Sequence, residues 1–283
     1  MAGILWLASY PKSGNTWVRA FLATYFRNPD QPLSINELYT FAYGDNFLTY
    51  YEDAAGKPAD ALTPEEIRRL RPVVHGMFAG HPEQTSFVKT HTMIADDAGT
   101  PTITPDATAG AIYVVRNPLD VAVSFAHHFQ NSYDTAVETL CTPGKILPGQ
   151  PGLKLPELMG AWWQHVRAWT DAPGLTRHVM RYEDMLAEPG PTFRKLVKFM
   201  GLPVEARRLS RAVRFTSFES LASQEHQEGF NEARPDRAVN FFRRGRRSQW
   251  REALTDEQVQ RILAANGETM RAFGYLDRTG DPV

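Results

Sequence analysis

The chain has 283 residues, 42% of them hydrophobic and 22% charged, with a formal net charge of −1. That length holds one large α/β domain or two small ones, and no linker divides it into two cores. The composition excludes a disordered chain and a generally basic nucleic-acid binder. The single cysteine, Cys141, excludes an internal disulfide and fits a reducing compartment.

No basic region precedes the first apolar run, and no stretch is long enough to span a bilayer, so a soluble cytoplasmic protein is expected. That first run, Ile4 to Ala8, reads as a buried strand. It empties into Tyr10-Pro11-Lys12-Ser13-Gly14-Asn15-Thr16-Trp17, a turn suited to an anion. Gly14 frees backbone N–H groups, Ser13, Asn15 and Thr16 add side-chain donors, and Lys12 adds positive charge. Trp17, Phe21, Leu22, Tyr25 and Phe26 recur at helical spacing, which predicts a helix over 15–27 with its N-terminus facing the turn. Lys12 precedes the only glycine, so this is not the longer Walker-type loop of nucleotide triphosphatases.

Phe41, Tyr43, Phe47, Tyr50 and Tyr51 follow without clear periodicity and suit either an acceptor pocket or ordinary core. A helix over 64–71 starts at Pro64. Strands are expected at 85–90, 111–115 and 177–181, with helices at 118–130 and 155–170. Alternating strands and helices imply a parallel sheet covered by helices. After residue 189 the pattern turns helical, at 190–200, 203–214 and 255–273, with a short turn at 217–222. Residues 139–156, with four prolines and three glycines, read as irregular, and polar 223–240 as a mobile loop.

In a parallel sheet the ligand lies beyond the carboxyl ends of the strands. There the sequence places Lys12, Lys89 with His91, Arg116 and Tyr182: three cations and one general base for a multiply anionic ligand. Arg116 precedes an Asn-Pro helix start and reaches along that helix toward Ser124; an ion pair with Asp120 is the alternative. Arg243, Arg244, Arg246 and Arg247 surround Gly245 between flanking aromatics, which suggests an anchored anion clamp. His127 and His128 point to different helix faces and form no metal pair. Metal ligands are not expected elsewhere.

In this order the segments resemble the cytosolic sulfotransferase family, which uses 3′-phosphoadenosine 5′-phosphosulfate (PAPS), from residue 4 to about residue 275. The resemblance implies a single α/β domain over 1–283 with a P-loop-kinase-like sulfotransferase fold and a tail at 276–283. It implies that residues 12–17 hold the 5′-phosphate, with Trp17 near the adenine, and that Arg116 and Ser124 contact the 3′-phosphate. Lys89-Thr90-His91 matches the element carrying the base, with Lys12 and Lys89 beside it. Tyr182, within Tyr-Glu-Asp, and Thr216-Ser217-Phe218 match adenine contacts, and Phe242-Arg243-Arg244-Gly245 matches the 3′-phosphate clamp.

The chain departs from the family pattern at Arg244, where lysine is common, and at Ser248-Gln249, where Gly-Asp is common. The vertebrate dimer motif would fall on Arg251, Thr255-Asp256 and Gln260 and lacks its Val and Glu, so a monomer, or a homodimer formed otherwise, is expected. The implied reaction moves a sulfuryl group to a hydroxyl, or less readily an amine, of a small-molecule acceptor. Loops 36–56, 75–84, 129–156 and 223–240 would select that acceptor. A nucleotide-dependent kinase and a non-catalytic nucleotide binder of the same fold are the rival readings. A kinase would need a magnesium-binding carboxylate at a strand end, where Asp184 is nearest; a binder would have no use for Lys89 and His91.

Overall fold

The computed structural model describes residues 2–80, 84–232 and 240–283. Its centre is a parallel sheet of five strands, β1 (Gly3–Ser9), β2 (Tyr43–Gly44), β3 (Thr85–Thr90), β4 (Thr108–Val115) and β5 (Arg177–Arg181), in the order β2-β3-β1-β4-β5. Strand β1 is central and apolar on both faces, as a doubly covered parallel strand must be. Ile4, Trp6 and Ala8 pack into one hydrophobic cluster and Leu5 and Leu7 into another.

Around the sheet lie α1 (Asn15–Arg27), α2 (Leu48–Ala55), α3 (Pro64–Ala79), α4 (Pro118–Phe129), α5 (Tyr133–Cys141), α6 (Trp162–Thr170), α7 (Tyr182–Ala187), α8 (Pro189–Phe199), α9 (Ala206–Phe215), α10 (Phe218–Glu228), α11 (Trp250–Ala253) and α12 (Asp256–Ala272). Helices α3, α4, α6 and α12 supply the cluster around Trp6, and α1, α8 and α9 supply the one around Leu5. The chain leaves β1 toward β2 and β3 on one side, then crosses to β4 and β5 on the other. Ligands of such sheets sit at the crevice this reversal opens.

Several helices differ from the sequence expectation. Helix α3 continues past Pro72 to Ala79 because Val74, His75 and Phe78 on its far half are buried; their burial outweighs the backbone hydrogen bond proline forfeits. Helix α6 starts only at Trp162. The residues before it are drawn into other pairings: Glu157–Leu158 runs antiparallel to Ile146–Leu147, and the Leu155 N–H donates to Asn46 O at 2.8 Å. Residues 223–228, expected in a loop, extend α10, with Ser217 as its cap. The rest of that expected loop is described at 229–232 and Asn240, and 233–239 lie outside the described residues. Among the described residues, no helix is long and apolar enough to cross a membrane.

Candidate active site

A cavity of about 870 Å³ opens at the carboxyl edge of the sheet. One wall is the turn between β1 and α1. Lys12 (φ 68°) and Gly14 (φ 108°) both adopt left-handed backbone, so the turn folds tightly enough for the N–H groups of residues 13–16 to find no acceptor among the described residues. Only glycine fits at position 14, since a Cβ there would lie 2.7 Å from the Tyr182 ring.

The side chains of this turn divide their work. Asn15 donates to Leu7 O at 2.8 Å and to Ser9 Oγ at 3.4 Å. Its amide therefore ties the turn to β1 and leaves only the backbone N–H of Asn15 as a donor toward the cavity, a correction to the expected side-chain donor. Thr16 Oγ1 accepts from Arg19 at 3.1 Å, which leaves its O–H free to donate. Ser13 is fully buried with its hydroxyl unpartnered, and it lies behind the cavity wall. Trp17 meets Tyr182 edge-on at 6.0 Å, and its indole N–H has no partner.

Lys12 has its ammonium 3.7 Å from the centre of the Phe241 ring. Burial, aided by the Arg116 charge, pushes its pKa down to about 7 against the opposing pull of Glu225 and Glu232. Arg116 donates to Lys12 O at 3.0 Å and stacks on Tyr182 at 4.2 Å, with its Nε unpartnered. The alternative partner, Asp120, instead accepts the N–H groups of Ser248 at 2.7 Å and Trp250 at 3.2 Å. Asp120 thereby anchors the arginine-rich segment. Ser124 lines the same cavity from α4.

That segment itself forms another part of the wall, beside Lys12. The Phe241 and Phe242 N–H groups donate to Glu225 at 2.5 and 2.8 Å, and Gly245 (φ 56°) lies so close to Phe218 that a Cβ would fall 2.3 Å from its ring. Arg243 donates to the buried Gln249, so the residue that departs from the family pattern holds the clamp arginine in place. Arg244 also lines the cavity and pairs with Glu252 at 3.2 Å. Thr216 does not line it, because its hydroxyl donates to Ala212 O at 2.8 Å within α9.

His91 stands at the end of β3. Its Nδ1 lies 2.7 Å from the Ser9 carbonyl, which can only accept, so Nδ1 carries the proton and Nε2 keeps its lone pair. Burial, then the Lys89 charge, lowers its pKa well below the usual histidine range. A second histidine fixes its backbone: His165 Nε2 donates to His91 O at 3.0 Å while its Nδ1 faces the Tyr113 hydroxyl at 2.8 Å. Burial holds His165 neutral, with a pKa near 3. Glu157 accepts the His91 N–H at 3.0 Å and lies 3.9 Å from the Lys89 ammonium. Asp45 accepts the Thr90 hydroxyl at 2.7 Å; burial, with Glu157 nearby, raises its pKa to about 7.

Phe241, Arg19, Glu232, Glu157 and Asp45 were not singled out by the sequence. Their partners lie tens to hundreds of residues away, as where Arg19 donates to both carboxylate oxygens of Glu232 at 2.7 and 2.6 Å. The aromatic stretch divides: Tyr43 and Phe47 line the cavity, whereas Phe41 stacks on Phe87 and Tyr51 is core. His128 lines the cavity and meets Phe241 edge-on at 5.6 Å. Residues 75–80 belong to α3 and its cap and do not line the cavity, although Phe78 stacks on Tyr43, which does. Residues 81–83 lie outside the described residues, among which no cluster of His, Cys, Asp or Glu is placed to hold a metal.

The family described as Sulfotransferase domain matches residues 4–274. The chain belongs to the sulfotransferase family. It is accordingly a PAPS-dependent sulfotransferase. Flavonol 3-sulfotransferase of Flaveria bidentis is 25% identical to this sulfotransferase over 96% of its chain and 83% of the relative. Cytosolic sulfotransferase 17 of Arabidopsis thaliana is 27% identical over 95% and 75%. The same fold occurs in retinol dehydratase in complex with retinol and PAP (17% identity, TM-score 0.63, 95% of this chain and 81% of the other). A mouse sulfotransferase complexed with PAP shares it too (20%, 0.60, 98% and 87%).

Proposed function

We propose that this sulfotransferase moves the sulfuryl group of PAPS to a hydroxyl of a small-molecule acceptor, with His91 as general base. The carrying observation is the fixed tautomer of His91, whose unprotonated Nε2 belongs to a residue lining the same cavity as Lys12 and Lys89. The cavity wall fits a nucleotide with two phosphates. Unpartnered donors sit on Trp17, Arg116 and the 13–16 backbone, and cations stand at both the turn and the clamp.

The donor supplies a sulfuryl group whose S–O bond to the 5′-phosphate breaks as the acceptor oxygen bonds to sulfur. His91 Nε2 takes the acceptor proton as that bond forms. Lys12 and Lys89 stabilise negative charge on the leaving and sulfuryl oxygens, and the N–H groups of residues 13–16 with the α1 dipole hold the 5′-phosphate. Arg116, Ser124, Arg243 and Arg244 read the 3′-phosphate, while Trp17, Tyr182 and Phe218 flank the base. Phe242 and Gly245 line the cavity beside these contacts, and Ser13 and Thr216 support its wall from behind. A cytoplasmic setting belongs to the same reading, in keeping with the cytosolic relative.

Replacing His91 with Gln tests the assignment. Turnover of a simple phenol is expected to fall about a hundredfold or more, the usual contribution of a positioned base, with affinity for adenosine 3′,5′-bisphosphate (PAP) within threefold of wild type. Near wild-type turnover would remove His91 from the mechanism. Asp184, the carboxylate a kinase would need, faces Arg181 at 3.7 Å and does not line the cavity.

A further inference from the structure

We infer that Lys154 selects the acceptor, and that the acceptor is a flat, apolar hydroxyl compound bearing an anionic group, such as a carboxylate, away from the hydroxyl that receives the sulfuryl group. This rests on the sulfuryl-transfer reading of the same cavity and names the substrate class it would take.

Away from the nucleotide contacts the cavity is bounded by Tyr43, Phe47, Phe129, Leu147 and Leu153. Five charged side chains also face it: Arg19, Lys89, Lys154, Glu157 and Glu232. Four are committed to one another. Arg19 and Glu232 form a two-pronged pair, and Glu157 accepts the His91 N–H beside the Lys89 ammonium. Lys154 is left over. Among the described residues it has no carboxylate within ion-pair distance, and its ammonium lies 4.7 Å from the centre of the Phe47 ring.

This placement is built into the chain. The Gln150 N–H donates to Lys154 O at 2.9 Å and the Lys154 N–H to Gln150 O at 2.8 Å. On either side, Leu48 N–H donates to Leu153 O at 3.0 Å and Leu155 N–H to Asn46 O. The strap carrying Lys154 is thus fastened to the segment carrying Phe47. Burial lowers the pKa of the lysine, Lys89 and Arg19 push the same way, and Glu232 and Glu157 oppose. A cation taken partly out of water without a partner is costly, and an anion brought by a ligand offsets that cost. The Phe47 ring beneath it favours an aromatic ligand body.

The test is calorimetry on PAP-saturated enzyme with 3-(4-hydroxyphenyl)propanoate and its neutral amide, using wild type and Lys154→Met. Wild type is expected to bind the acid at least about tenfold tighter than the amide. Lys154→Met is expected to reduce that ratio to about twofold or less, while its affinities for the amide and for PAP stay within threefold. The proposal is overturned if wild type binds the acid no tighter than the amide, if it binds neither, or if the variant weakens both alike. Loss of PAP affinity in the variant also overturns it, by moving Lys154 to the donor. Failure of the sulfuryl-transfer reading shows separately, as wild-type enzyme that does not bind PAP.

Discussion

Lys12 combines three unusual conditions: left-handed backbone, an aromatic ring against its ammonium and a pKa lowered to about 7 by burial and Arg116. A phosphate group placed beside it favours the charged form, so the bound pKa rises above the free one. Between those two values, binding takes up a proton and affinity falls as pH increases. At pH 8 PAP is fully ionised, since phosphate monoesters titrate near pH 6. Calorimetry there in buffers of differing ionisation enthalpy is expected to show uptake approaching about one proton. Lys12→Met should abolish it; equal uptake in the variant would assign the proton elsewhere. The sequence exposed Lys12 through its neighbours in the turn. It could not expose Phe241 above it, because that contact spans the length of the chain.

At the level of elements, the junction of β1 and α1 depends on one missing Cβ. Gly14→Ala combines a conformational cost at φ 108° with a clash against Tyr182, whereas Gly144→Ala has φ 66° and open space around its new Cβ. Left-handed backbone alone costs about 1–2 kcal/mol. Gly144→Ala is therefore expected to lower Tm by about 2–8 °C, at roughly 2–4 °C per kcal/mol, and to leave PAP affinity unchanged. Gly14→Ala should lower Tm further and weaken PAP at least about tenfold, through loss of the N–H array. Equal effects of the two substitutions would show that Tyr182 does not hold the turn.

The strands β1 and β4 were legible because parallel strands buried on both faces are short apolar runs ending in polar residues; β3 and β5 are only partly buried and showed through the shorter apolar pairs Phe87-Val88 and Val179-Met180, each closed by a basic residue. Helices α2, α5 and α7 were not. Each is short, and α2 buries only Tyr51, too little to set up a helical period. The start of α6 was misplaced because the residues before it answer to Lys145, Ile146 and Asn46, partners that local pattern does not contain.

Across the whole molecule, a net charge of −1 conceals a concentration of cations on one edge of the sheet. The strand order brings Lys12, Lys89 and Arg116 to that edge, and Asp120 and Glu225 fasten the segment that adds Arg243 and Arg244 to the same cavity. This distribution of charge suits a nucleotide carrying phosphate at both its 3′ and 5′ ends. Arg243 gives the cleaner probe of the 3′ contact, because Arg116 also supports the turn through Lys12 O. The central measurement is calorimetric comparison of PAP with adenosine 5′-monophosphate on wild type and Arg243→Ala. Wild type should prefer PAP by at least about tenfold, with the variant losing about 1.5–3 kcal/mol for PAP, as charge-assisted hydrogen bonds contribute, and remaining within threefold for the monophosphate. Equal affinity of wild type for the two nucleotides, or equal losses for both in the variant, would contradict the account.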